Sequence, residues 1–166
     1  MKKKIGIIGC GNMGEAIVKA IVQGSRVKVQ GHDTDKDKIG RVAKKYKIQA
    51  AVSATDLAKN CDIIILAVKP KDLGGVLENV KAHLNPPKLL ISIAAGVSTA
   101  YIEKITGKRI AVIRAMPNMP AIVGAGISAL CKGRFAARQD LNIAESLLRA
   151  LGGVVKGLNL KLIPYY

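Results

Sequence analysis

Lys4-Ile5-Gly6-Ile7-Ile8-Gly9-Cys10-Gly11-Asn12-Met13-Gly14-Glu15-Ala16-Ile17 is the stretch whose reading decides the fold. A short apolar run enters Gly9-x-Gly11-x-x-Gly14, and a helical pattern follows at once. Each glycine answers a separate physical demand. Gly9 permits a tight turn out of a strand, Gly11 lets a pyrophosphate approach the backbone, and Gly14 lets the helix pack closely on the sheet. The helix N-terminus then offers unpaired N–H groups and a partial positive charge to phosphates. A purely structural turn is the alternative. The preceding strand, the following helix and an acidic residue at the right distance favour a dinucleotide site.

Outward from this stretch the pattern alternates strand and helix, which predicts an α/β fold with a doubly wound, mainly parallel sheet of the Rossmann type. Strands are expected at Lys4–Gly9, Val27–Gly31, Ile48–Ala51, Asp62–Val68, Leu89–Ile93 and Ile110–Arg114, with Ile127–Leu130 as one more edge strand. Helices are expected at Met13–Gln23, about Asp35 to Tyr46, after a cap at Thr55, over Asp72–Val80, after a cap at Ser98, and over Leu141–Leu151. Two βαβαβ halves would set the first and fourth strands side by side. Gly9–Gly14 and Ala67–Pro70 would then flank the switch point where dinucleotides bind.

The chain has 166 residues, which suits one domain with a real core. With one Phe, four Tyr and no Trp, that core is aliphatic, as buried parallel strands usually are. The longest apolar runs, such as Ile63–Val68, are too short to span a bilayer, and no signal peptide is evident, so no membrane association is expected. Cys10, Cys61 and Cys131 are widely spaced and read as reduced thiols of a cytoplasmic protein; no metal-ligand spacing occurs. The net charge of +16 favours anionic ligands in general. Its densest cluster, Lys36 to Lys47, lies on one helix without interleaved aromatic residues, so a solvated face is expected and not a nucleic-acid surface.

Asp33 follows the second strand, 19 residues after Gly14. An acidic side chain there accepts hydrogen bonds from the ribose of NAD and repels the 2′-phosphate of NADP. Lys36, Lys38 and Arg41 nearby could instead accommodate NADP. Asp33 could also simply cap the next helix, a role for which Asp35 competes. Lys69-Pro70 ends the central strand and turns the chain over the crevice, leaving the backbone of Ala67 and Val68 to face a cofactor. Two prolines stiffen the Asn118 loop at the ligand side of the sheet, or form a structural turn only. His32 reads as a loop residue beside the adenosine, and His83 as a solvated helix end. No nucleophile–base pairing stands out, so no catalytic residue is assigned.

Four blocks resemble the pyrroline-5-carboxylate reductases in order and spacing: Gly6–Gly14, Ala67-Val68-Lys69-Pro70, Ser92-Ile93-Ala94-Ala95-Gly96-Val97 and Arg114-Ala115-Met116-Pro117-Asn118-Met119-Pro120-Ala121. The resemblance covers about residues 3–155. It implies hydride transfer from NADPH or NADH to 1-pyrroline-5-carboxylate, an imino acid, giving L-proline. It also implies that Ile8, Gly9, Cys10, Gly11, Asn12, Met13 and Gly14 line the dinucleotide with Ala67, Val68, Lys69 and Pro70. Ala94, Ala95 and Asn118 would lie towards the nicotinamide. Family members continue into a helical domain that dimerises and supplies the substrate-carboxylate clamp. Here the likeness fades after Val155, so residues 1–155 are expected to form the dinucleotide-binding domain and 156–166 a tail outside the family pattern, without the family's homo-oligomer contacts.

Overall fold

The computed structural model describes residues 3–24, 27–118, 120, 122 and 124–156. Its first half runs β1 (Ile5–Ile8), α1 (Asn12–Gly24), β2 (Val29–His32), α2 (Lys36–Tyr46), β3 (Gln49–Ala50) and α3 (Ala54–Asn60). Its second half runs β4 (Ile63–Leu66), α4 (Pro70–Val80), β5 (Leu89–Ser92), α5 (Thr99–Thr106), β6 (Ala111–Pro117), β7 (Gly126–Lys132), α6 (Arg138–Leu148) and β8 (Gly152–Lys156). All eight strands join one sheet in the order β3-β2-β1-β4-β5-β6-β7-β8. The first six positions are parallel, β7 runs antiparallel to β6, and β8 is parallel to β7. The doubly wound sheet expected from the sequence is therefore the fold, with β1 and β4 adjacent at its centre.

Strand composition explains this placement. Ile63-Ile64-Ile65-Leu66 is buried on both faces, as an interior parallel strand must be. Ile7, Ile65, Ile91 and Ile113 face α1, α2 and α6 through Ile17, Ile21, Val42 and Leu148. Ile64, Leu66, Leu90 and Val112 face α3, α4 and α5 through Leu57, Leu73, Leu77 and Ile102. Each such fully buried side chain contributes about 1.5–3 kcal/mol relative to exposure. Helix entries are set by short polar side chains. Asp35 Oδ1 accepts from Lys38 N at 3.0 Å, and Ser98 Oγ accepts from Tyr101 N at 3.1 Å.

Several expectations are corrected. The cap of α3 is Ser53, whose Oγ accepts from Asp56 N at 3.0 Å; Thr55 lies inside the helix and donates to Asn79 O. Strand β6 continues to Pro117 because β7 pairs with it through Met116↔Ala129 and Pro117↔Ser128, so half of the proline-rich block is strand and not loop. The strand expected at the edge, β7, is interior, because β8 pairs along it from Gly126↔Gly152 to Leu130↔Lys156. Helix α6 starts at Arg138, where Asp140 Oδ2 accepts from Ala137 N at 2.8 Å, and ends at Leu148 before a short 3-10 turn. The sheet thus reaches Lys156; the tail beyond lies outside the described residues.

Candidate functional site

The C-terminal ends of β1, β2 and β4 meet at one corner. Gly9 N donates to His32 O at 2.8 Å, and Ala67 N donates to Ile8 O at 2.8 Å, so the exits of all three strands are tied together. Gly9 has φ 95°, a conformation that favours glycine, and an added Cβ there would meet Ala67 O at 2.6 Å. A Cβ on Gly14 would strike the Gly9 carbonyl and reach Ala67 Cβ at 3.5 Å. That close approach seats α1 against the turn. Gly11 differs from both: a Cβ built there meets nothing within 4 Å. Its freedom is not needed for packing, and it faces the open space where a pyrophosphate would lie. Glu15 N donates to Gly11 O at 2.8 Å, so α1 begins here and its first N–H groups have no intrahelical acceptor. A dinucleotide fits this turn, with Gly11, Asn12 and Met13 offering backbone donors to phosphate.

Asp33 stands directly beside the turn. Its Oδ2 accepts from Cys10 N at 2.7 Å and its Oδ1 from Asp35 N at 2.9 Å. The capping role therefore falls to Asp35, and Asp33 instead braces the glycine turn from the end of β2. Lys38 Nζ lies 3.9 Å from Asp33 Oδ1 and 3.6 Å from Asp35 Oδ2. Of the cations that could have served a 2′-phosphate, Lys38 is thus shared between two carboxylates. Arg41 is close enough to Glu15 to help lower its carboxyl pKa. Burial, reinforced by the Asp33 charge, pushes the Cys10 thiol up to about 12, so it is a protonated packing group and not a nucleophile at neutral pH.

The remaining candidates divide into two groups. Ile8 to Gly14, Asp33, Ala67 and Val68 come together at this corner. Lys69 and Pro70 open α4 beside it, exposed, with proline at the first turn where its missing N–H costs nothing. Ala94, Ala95 and Asn118 lie farther along the strand ends. Three strand spacings separate β1 from β6, or about 14 Å. The Ala94 side chain is buried in the core and its N donates to Ser92 Oγ at 3.3 Å, whereas Ala95 is exposed. Asn118 Oδ1 accepts from Ile127 N at 2.9 Å, and Asn118 N donates to Ile127 O at 3.2 Å. Its carboxamide oxygen is thereby committed to closing the β6–β7 connection. His32 proves to be the last residue of β2, and its ring Nδ1 is buried without a partner. Sequence reasoning gave no role to Arg114, which is 9% exposed on β6, with its Nε also closed off and unpaired. The signal available was an arginine inside an otherwise apolar strand.

Two clefts of about 460 and 430 Å³ open at the opposite, N-terminal ends of the strands, around Lys4, Lys28, Tyr46 and Lys88. They share no residue with this corner. Among the described residues no group of three or more His, Cys, Asp or Glu could hold a metal ion, and no helix is long and apolar enough to cross a membrane.

Fold and corner together define a class: a doubly wound dinucleotide-binding domain. The family model described as NADP oxidoreductase, coenzyme F420-dependent, matches residues 4–96, and the chain belongs to that family. The chain is 36% identical over 155 residues to a pyrroline-5-carboxylate reductase of Escherichia coli (strain K12), covering 92% of this chain and 58% of that protein. It is 35% identical over 160 residues to the pyrroline-5-carboxylate reductase of Mycobacterium tuberculosis (strain ATCC 25618 / H37Rv), covering 92% and 54%. Among solved structures, a pyrroline-5-carboxylate reductase from Coxiella burnetii superposes with TM-score 0.89 at 33% identity, over 96% of this chain and 60% of that one. The Plasmodium falciparum pyrroline carboxylate reductase with NADP bound superposes with TM-score 0.83 at 29% identity, over 96% and 59%. The chain thus spans somewhat more than half the length of the relatives it matches.

Proposed function

We propose that this chain supplies the dinucleotide-binding part of a pyrroline-5-carboxylate reductase, which reduces 1-pyrroline-5-carboxylate to L-proline with NADH or NADPH. The observation that carries the reading is the corner itself: an open Gly11 between two tightly packed glycines, braced by Asp33 and set against Ala67-Val68. In this reading residues 1–155 act as one dinucleotide-binding unit, with the substrate a small imino acid. The family's homo-oligomer would form through parts of the reductase that the likeness here does not reach. Three cysteines without a disulfide support a cytoplasmic setting.

The bound dinucleotide supplies the hydride. The chain's own residues bind and orient. Backbone N–H groups of Gly11, Asn12 and Met13 hold the pyrophosphate, and Asp33 meets the adenosine ribose. The exits of β4, β5 and β6, at Ala67–Pro70, Ala94-Ala95 and Asn118, direct the nicotinamide end. Holding the reacting groups in place is the main contribution such a scaffold can make.

A reductase working with coenzyme F420 is the second reading, favoured by the description of the family that residues 4–96 match. The likeness to the pyrroline-5-carboxylate reductases runs well beyond residue 96, through the block at Arg114–Asn118, which favours the first. Purified protein titrated with NADH and NADPH by nucleotide fluorescence, then assayed with 1-pyrroline-5-carboxylate, separates these readings. Saturable nucleotide binding is the expected result, and turnover would show that the chain also handles the substrate. Binding without turnover fits both the dinucleotide-binding part of the reductase and a non-enzymatic dinucleotide-binding protein, and no binding of either nucleotide would overturn the site.

A further inference from the structure

The strands of the sheet begin on a basic rim. Val29, Ile5, Ile63 and Leu89 form one register row, so the residues before them, Lys28, Lys4, Asp62 and Lys88, stand side by side. Lys47 precedes β3 beyond Lys28, and Arg109 precedes β6 beyond Lys88. The antiparallel strand β7 ends here, and Arg134 follows it. From β3 to β7 the rim crosses six strand spacings, or about 29 Å. In sequence these cations are scattered and no run of charge announces them; the topology collects them. None of the ion pairs among the described residues involves Lys4, Lys28, Lys47, Arg109 or Arg134.

Helices α1 to α4 end on this side, and helix C-termini favour cations whatever a protein does. Lys88 answers that demand, since its Nζ donates to Lys59 O and Cys61 O at the end of α3. Lys108 does the same at Ala82 O. The adjoining carboxylates are engaged by backbone: Asp62 Oδ2 accepts from Lys4 N at 2.7 Å, Glu103 Oε1 from Arg134 N at 2.7 Å and Asp140 Oδ2 from Ala137 N at 2.8 Å. The remaining lysines line concave surface. Lys4, Lys28 and Lys47 border the cleft of about 460 Å³, and Lys4 also borders that of about 430 Å³ beside Lys88. An aromatic ring stands toward each end of the rim. Tyr46 lines the first cleft, and at the far end the guanidinium carbons of Arg109 and Arg134 each lie 5.5 Å from the Phe135 ring centroid. A guanidinium held over a ring keeps its N–H edge for phosphate, and planes of both kinds accept a stacked base.

We propose that this rim is a docking surface for single-stranded nucleic acid, with phosphates along the lysines and bases stacked at the Arg109–Phe135–Arg134 end. A charged groove that tracks a backbone, with rings on which bases stack, is what sequence-tolerant binding of a single strand requires. An anionic bilayer is a plane and would bridge the two clefts without entering them. A small anion would fill one cleft and leave the stacked arginines idle. The rim lies at the opposite end of the strands from the dinucleotide corner and shares no residue with it. The protein can therefore hold both ligands at once.

The test is fluorescence anisotropy of a labelled oligouridylate of about 20 nucleotides, longer than the roughly 4–16 that one such groove covers. Saturable binding is expected at about 50 mM salt, with log K falling against log salt at a slope of about −3.5, as about five phosphate contacts give. Lys28→Gln, Lys47→Asn and Arg109→Gln made together should weaken binding at least about tenfold and flatten the slope by about 2. Lys19→Gln, Lys36→Gln and Lys71→Gln remove the same charge from exposed positions elsewhere and should change affinity by less than about threefold. Phe135→Leu keeps the apolar filling, removes the ring and should cost about tenfold. Saturating NADH should leave these values unchanged. No binding at this salt, equal losses in the two triple variants, or displacement by NADH would overturn the proposal. So would displacement by uridine monophosphate at matched phosphate concentration, which would mark a small-anion cleft, or preferential binding to phosphatidylserine vesicles.

Discussion

Asp33 performs two tasks with one carboxylate. It holds the turn through Cys10 N and the start of α2 through Asp35 N. Asp35 adds a second negative charge, and Lys38 is the one cation held between them. A 2′-phosphate entering beside these two carboxylates meets their repulsion, so NADH should bind more tightly than NADPH. Asp33→Ser should shift the ratio of NADPH to NADH affinity upward by about tenfold or more, since like charges about 4 Å apart repel by roughly 4 kcal/mol at an effective dielectric of 20. Asp35→Ser should move the ratio the same way with less loss of stability, because serine keeps the cap. Fluorescence titration with both nucleotides measures this, and wild type preferring NADPH would show that Lys38 outweighs the two carboxylates. The glycines give a paired test. Gly14→Ala drives a methyl into the Gly9 carbonyl and should cost about 1–3 kcal/mol in urea unfolding. Gly11→Ala meets nothing and should leave the urea midpoint unchanged while weakening nucleotide binding. These three glycine roles were legible in sequence because spacing alone states them. The bracing role of Asp33 was not, because it depends on which oxygen faces which N–H across a sequence separation of 23 positions.

At the scale of elements, α1 and α2 are clamped together by one acidic residue. Glu15 Oε1 accepts from Lys45 Nζ at 2.9 Å and from Tyr46 OH at 3.0 Å. The Lys45 hydrogen bond, with help from Tyr46 and Arg41, holds the Glu15 carboxyl below the ordinary carboxylate range. Asp35 is lowered in the same direction, chiefly by the Lys38 backbone N–H. A folded-state pKa below the unfolded one contributes stability above the unfolded value, and that contribution is lost as pH falls through the folded value. Urea midpoints should therefore be flat near neutrality and fall below about pH 4.3. Glu15→Gln should lower the unfolding free energy at pH 7 by no more than about 1 kcal/mol, as for exposed ion pairs, and converge with wild type in acid. A constant offset at all pH values would show that packing, not charge, is what Glu15 provides. Element type was readable from alternation of apolar runs and turn residues. Element extent was less so. Gly152-Gly153-Val154-Val155-Lys156 carries two glycines and no strand signature, and becomes β8 because β7 offers it a free edge. Thr55 looked like a cap by residue type, but Ser53 occupies the extended position (φ −148°, ψ 164°) from which a hydroxyl reaches the third N–H. Ser53→Ala should cost about 0.5–2 kcal/mol and Thr55→Ala less, by the same unfolding measurement.

The whole molecule sets a repulsive charge against two sheet edges. Among the described residues β3 is one edge, two exposed residues long and too short to template pairing. The other is β8, five residues long, with Val155 45% exposed and, beside it on β7, Ile127 56% exposed. The register places Val155 opposite Ala129, two residues along β7 from Ile127, so the two apolar side chains share a face. On the far side of the sheet α6 covers β7, while on this face α5 meets the chain just past the end of β7, at Gly133 and Arg134. Lys156, which could guard the edge, is drawn to Glu145 on α6 at 2.6 Å. Among the described residues an open edge and an apolar face favour association with a second copy, whereas a net charge of +16 opposes it. Salt decides between them, because the Debye length shrinks from about 30 Å at 0.01 M to about 10 Å at 0.1 M and 3 Å at 1 M. Light scattering should therefore report separate chains at low ionic strength and growing association as salt is added. Val155→Lys and Ile127→Lys, each adding charge to the exposed face without touching the core, should move the onset to higher salt. Association that ignores both the salt and the two substitutions would place the contact elsewhere on the molecule and remove β8 as its cause.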